Sequence, residues 1–222
     1  MSLSNVALFV VGKPLAERVA RPAISMRPMR SDIRNRIVET AEHLFRQFGH
    51  QKTTVADIAG DLGMSPANIY RFFHSKDAID EAVCRRLLGD LISVAAELAQ
   101  RNATAENRLQ ALLLELARLN VDRCRTNKPL HQLLAVAVSE NWPAATDYAE
   151  RMKTIMAAII RDGMQRGEFR NGDARRAADC MYAAMLRHVH PNLVVCDGPG
   201  QPSLGDMVVF CLAALGRGRG TQ

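Results

Sequence analysis

The residues able to do chemistry in this chain do the chemistry of contact, and they cluster between Thr53 and Lys76, in TTVADIAGDLGMSPANIYRFFHSK. Ser65, Ala67 and Asn68 present a hydroxyl, a methyl and a carboxamide, which can meet base edges: Ala67 the thymine methyl, Asn68 an adenine or a phosphate. Tyr70, Arg71 and His74 follow with groups suited to phosphate, and Thr53 and Thr54 complete the candidate set. Lys76 opens a helix. A cation there opposes the macrodipole, but an anion bound at the same end would reverse the sign, so a DNA phosphate is its expected partner.

Two short helices and the start of a third must hold these groups. Val55, Ile58, Ala59 and Leu62 recur at i, i+3, i+4 and i+7, the apolar stripe of a short helix. Thr54 with Asp57 makes an acidic capping box ahead of it, and Gly63 supplies the left-handed elbow behind it. Ser65-Pro66 restarts the chain as a helix, capped by the serine and pre-set by proline's φ. Ile69 and Phe73, at i and i+4, face the core, and Ser75 caps the third start. This is a helix-turn-helix, a device for laying one helix in the major groove of DNA. Upstream, Ile33, Ile37, Ala41, Leu44, Phe45 and Phe48 stripe a bracing helix over about 32–48, ended by Gly49.

From about Ile33 to Val83 the chain resembles the N-terminal domain of the TetR family of bacterial repressors. The marks are LFRQFG at the end of the first helix, then TTVADIAGDLGMSPANIYRFFHSKDAI. Tyr70, Phe73 and Lys76 match the family's pattern; Arg71, Phe72 and His74 depart from it, where the family often has an aromatic, a histidine and a lysine. The resemblance implies an all-α fold, with a three-helix DNA-binding domain joined to a larger helical effector-binding and dimerisation domain. Residues 1–30 then form a basic, flexible arm, 31–76 the DNA-binding domain and 77–222 the rest. It also implies a repressor released from a palindromic operator by a small effector; control by a protein partner, or an architectural role, is the alternative.

Composition agrees without deciding the matter. Residues 1–30 carry +4 of the net +6, leaving the remainder only weakly basic. That segment reads either as a tail from an upstream start codon or as an arm following the minor groove. Cys84, Cys124, Cys180, Cys196 and Cys211 are scattered, as reduced cytosolic thiols are. No run approaches the ~20 apolar residues of a membrane span, and the expected location is cytoplasmic. There is no G-x-S-x-G elbow, Gly-rich phosphate loop or Glu-x-x-His pair. His188-x-His190 stands at a helix end without a nearby carboxylate, so no enzyme, metal site or cofactor is expected.

Beyond residue 76 the breaks at Asn127-Lys128-Pro129, Asn141-Trp142-Pro143, Gly167, Asn171-Gly172 and Pro191 divide a helical region near 76–100, 106–126, 130–140, 144–166, 173–190 and 204–216. The last two helices are apolar over a wide arc. Met181, Met185 and Val189 on one, with Met207, Val208, Phe210 and Cys211 on the other, are the expected homodimer interface. Cys124, His131, Trp142, Met156 and Tyr182 are the candidates for lining an effector pocket, whose Met-rich surroundings point to an apolar ligand.

Overall fold

The computed structural model describes residues 30–189 and 202–216. The basic arm ahead of Arg30, together with Cys196 and His190, lies outside them. Regular structure among the described residues is helical: α1 (Arg30–Phe48), α2 (Val55–Asp61), α3 (Pro66–Tyr70), α4 (Lys76–Ala99), α5 (Ala105–Thr126), α6 (Lys128–Ser139), α7 (Pro143–Gln165), α8 (Ala174–Val189) and α9 (Leu204–Ala214). Boundaries fall within two residues of those expected because local chemistry sets them. Thr54, Ser65, Ser75, Thr104 and Ser203 each accept a backbone N–H of the helix they precede.

The first three helices pack around Ile37, Ala41, Phe45, Ile58, Ile69 and Phe73, all at or near zero exposure. Phe48, expected on the α1 stripe, is 59 % exposed, because the helix runs past the small core before Gly49 turns it at φ +86°. Helix α4 then leaves this unit and packs most extensively against α7, which in turn packs on α8. Helix α5 crosses α4 and α7, and α9 closes the far side against α5 and α8.

Polar pins fix the long helices against each other. Arg86 of α4 reaches Glu39 and Glu42 of α1 at 2.9 and 3.1 Å. Glu81 of α4 accepts the Ala144 N–H at 2.8 Å and so caps α7, whose own N-cap, Trp142, offers no side-chain bond. Arg85 pairs with Asp147 of α7 at 2.8 Å. At the other end Arg108 of α5, 8 % exposed, bonds the Ala99 carbonyl and Asp162 of α7.

Of the described glycines, Gly163 of α7 is the most crowded. A Cβ there would lie 2.4 Å from the Phe169 ring and 2.7 Å from the Ala105 methyl. In an open helix Gly→Ala stabilises by about 1 kcal/mol. Here Gly163→Ala is expected to destabilise by about 1–3 kcal/mol through overpacking, measured by urea unfolding; a stabilised variant would show that the approach relaxes freely.

Candidate nucleic-acid interface and ligand cavity

The capping box at α2 is complete. The Thr54 hydroxyl accepts the Asp57 N–H while the Asp57 carboxylate accepts the Thr54 N–H at 2.7 Å. Donation from the Thr54 N–H and from its hydroxyl, both at 2.7 Å, holds the Asp57 carboxyl below its ordinary range. Gly63 takes φ +63°, and the Met64 N–H closes the elbow on the Ala59 carbonyl at 2.8 Å. Ser65 accepts the Asn68 N–H at 3.3 Å, and α3 follows for five residues.

Ile69 and Phe73 are fully buried and hold α3 by one face. The rest of it, with the turns on either side, looks outward: Ser65, Ala67, Arg71 and His74 are exposed, Tyr70 is half exposed and Asn68 partly so. The guanidinium of Arg34 stacks 4.3 Å from the Phe73 ring, and Arg30 donates to the Arg71 carbonyl at 3.4 Å. Arg30 and Arg34 are therefore exposed cations beside the reading helix, outside the expected set of contacts. Their signal was only a charge next to the motif, which any solvated helix face also shows.

Two expected DNA contacts are turned inward. Thr53 is 4 % exposed, and its hydroxyl donates to the Gly49 carbonyl at 2.9 Å, so it fastens the α1–α2 turn. The Lys76 ammonium does not point out at a phosphate. It sits 4.4 Å from the Phe45 ring centre and donates to the His50 carbonyl at 3.1 Å and the Asp80 carboxylate at 2.5 Å. The physical reason is Asp80, one turn along α4 and 6 % exposed, whose burial raises its carboxyl pKa and makes an inward cation necessary. Desolvation also lowers the His50 imidazole.

In the C-terminal region a cavity of about 360 Å³ opens between α4, α5, α6, α7 and α8. Leu88, Leu91, Leu134, Val138, Ala145, Ala149 and Leu186 form its apolar wall, and Asn120, Asn141, Thr146, Tyr148 and Tyr182 its polar groups. Of the five expected lining residues only Tyr182 is there. His131 and Met156 are core residues at 6 % and 1 % exposure, and Cys124 is half-buried away from the lining. Trp142 instead lines a larger, charged cleft of about 760 Å³ between α1, α4 and the start of α7, and its indole N–H donates to Glu140 at 2.9 Å. Those candidates followed from residue type, whereas the lining is decided by register on five helices.

The expected dimer face also needs correction. Met181, Met185, Val208 and Cys211 are at most 4 % exposed within this one chain, because α8 and α9 turn them toward α5, α7 and each other. The side chain of Val189 lies outside the described residues, and Met207 is half-buried. What α9 leaves outside is its opposite side, with Val209 and Phe210 66 % and 65 % exposed and Ala213 and Ala214 exposed beside them. Among the described residues no His/Cys/Asp/Glu cluster could hold a metal, and no helix is long and apolar enough to cross a membrane.

A capped, outward-facing second helix on a three-helix unit, joined to a larger helical body with its own cavity, defines a helix-turn-helix DNA-binding regulator. Family models agree in both halves: residues 37–83 match "Bacterial regulatory proteins, tetR family" and residues 105–200 match "Tetracyclin repressor-like, C-terminal domain". The chain belongs to the TetR family.

Among curated proteins it is similar to the HTH-type transcriptional repressor KstR2 of Rhodococcus jostii, 22 % identical over 144 residues, or 64 % of this chain and 70 % of that protein. It is 36 % identical to the HTH-type transcriptional regulator BetI of Brucella suis over 93 residues, 41 % of this chain and 45 % of that protein, so that match spans less than half of the relative. Among solved structures, a regulator from Saccharomonospora viridis in complex with choline is 25 % identical, with TM-score 0.57 over 85 % of this chain and 99 % of that one. A TetR/AcrR-family regulator from Thermobifida fusca shares the fold at 22 % identity and TM-score 0.58, over 83 % and 96 %.

With its ammonium occupied, Lys76 supports the fold. Lys76→Ala is expected to cost about 1–3 kcal/mol of stability, between the values for exposed and fully buried pairs, while the salt dependence of DNA binding keeps its slope. Urea unfolding and a salt titration separate the two; unchanged stability with a shallower slope would return Lys76 to the DNA.

Proposed function

We propose that the chain is a homodimeric repressor that reads a palindromic operator with paired α3 helices and leaves it when a small molecule fills the α4–α8 cavity. In this reading residues 31–76 are the DNA-binding domain, 77–222 hold the effector and the partner copy, and the protein works in the cytoplasm. The observation that carries it is the outward face of α3 and the turn after it, anchored by Ile69 and Phe73 and presenting Ala67, Asn68, Tyr70, Arg71 and His74. One such helix reads only a few base pairs; a twofold pair reads half-sites about 34–36 Å apart. Likeness to KstR2, named a repressor, supports the direction of control. The cavity favours a small-molecule signal over control by a protein partner.

Helix α4 supplies the linkage. Its first turn lies under the reading unit, Leu88 and Leu91 line the cavity, and Glu81 and Arg85 tie it to the first turns of α7, which line the cavity too. A ligand that prefers one setting of α4 against α7 thereby prefers one spacing of the two reading heads.

Two outcomes are expected. Arg71→Ala weakens binding to any duplex and flattens the log–log salt slope by about one; an unchanged slope removes Arg71 from the phosphate contacts. Phe210→Asp raises the dimer dissociation constant at least tenfold, about 1.4 kcal/mol, in sedimentation equilibrium; an unaltered mass would place the interface away from the exposed side of α9.

A further inference from the structure

Asn120 breaks the pattern of its helix. On α5 the buried stripe runs Leu109, Leu112, Leu113, Leu116, and the next position on it, 120, holds a carboxamide at 4 % exposure. Its Nδ2 donates to the Leu116 carbonyl at 2.9 Å. Only an NH2 group can donate there, so the orientation of the amide is fixed. The second amide hydrogen and both lone pairs of Oδ1 make no hydrogen bond to any described residue, and the residue lines the cavity. Oδ1 is not among the fully buried atoms that lack a partner, so it opens to the cavity, and a bound group that displaces water there must reproduce its hydrogen bonds.

The remainder of the lining restricts that group. Lys, Arg, Asp, Glu and His are absent from it, and its other polar groups are Asn141, Thr146 and the phenols of Tyr148 and Tyr182. Burial pushes the Tyr182 phenol up to about 12 and raises that of Tyr148 as well, so both stay neutral. Asn141 and Thr146 are exposed and mark the rim; Asn120 marks the buried end. Arg123 acts on Tyr148 electrostatically but is not among the lining residues; its Nη2 donates to the Leu87 carbonyl at 3.5 Å, and its buried Nη1 makes no hydrogen bond to any described residue.

We propose that the ligand of this cavity is an uncharged amphiphile, an apolar carbon frame carrying a hydroxyl-type group that donates to Asn120 Oδ1 and accepts from Asn120 Nδ2. This deepens the effector reading above and rests on it for biological meaning. A carboxylate can only accept and would leave Oδ1 unpaired; a quaternary ammonium can do neither. Either ion would also enter a site with no counter-charge in its wall.

The test uses the full chain without DNA and three probes sharing one frame: octan-1-ol, octanoate and octyltrimethylammonium, near pH 8. Trp142, the single tryptophan, adjoins the rim residue Asn141, and its fluorescence reports binding. The alcohol should bind about tenfold tighter than either ion, and Asn120→Leu should remove most of that preference. Tightest binding by octanoate would move the anchor to Arg123, tightest binding by octyltrimethylammonium would make the two tyrosines a cation site, and no saturable binding of the alcohol up to its solubility would leave Asn120 without a ligand; each overturns the proposal. The comparison on the unaltered chain decides even where the variant folds poorly. Because DNA is absent, failure here is distinct from failure of the operator reading, which the Arg71→Ala salt slope tests separately.

Discussion

One uninterrupted helix governs what this molecule can do. Helix α4 spans 24 residues, about 36 Å at 1.5 Å per residue. Ile79 and Val83 at its start are fully buried with the reading unit, and Leu87, Leu88, Leu91 and Ile92 further along are buried in the larger body. A helix does not bend without an identifiable cause, and α4 contains neither a proline nor a break in its assignment; its one soft point is Gly89, whose carbonyl also accepts the Ser93 hydroxyl at 3.1 Å. In the proposed mechanism, displacement of its far part is carried to its near end. The inward Lys76–Asp80 pair secures that near end, and the ion pairs of Arg85 and Arg86 secure the shaft on either side.

Polarity is distributed in a matching way. The reading surface keeps its cations outside, in Arg30, Arg34 and Arg71, where they can neutralise phosphate. The cavity keeps formal charge out of its wall and holds its polar groups as neutral amides and hydroxyls. The same chain thus presents a strongly electrostatic surface and a nearly neutral interior site, about 360 Å³ in volume, within the range of small-molecule pockets. In the proposed mechanism, coupling between them passes through packing and the α4–α7 pins.

The parts legible from sequence were those fixed by neighbours in the chain. A serine followed by proline, a threonine three residues before an aspartate and a glycine after a leucine each act within one turn, and they located α2, α3 and the start of α4 closely. The parts not legible depend on which way a helix faces among its neighbours. Met181, Met185, Val208 and Cys211 are apolar whether they meet a partner or their own core, and only packing shows that they meet the core. Lys76 reads as a free cation until Asp80 is placed one turn away, inside. Tyr182 stands in the cavity wall as expected from its type, and Asn120, outside the expected set, carries its own visible signal, a carboxamide on a leucine stripe.

The most direct measurement of the central claim is selection of bound sequences by the purified chain from a pool of random duplexes. Two α3 helices on a twofold axis predict enrichment of a palindrome whose half-sites are centred about 10–10.5 base pairs apart, or slightly more. An enriched site lacking twofold symmetry, or a pool that stays random while binding is still salt-dependent, would contradict it.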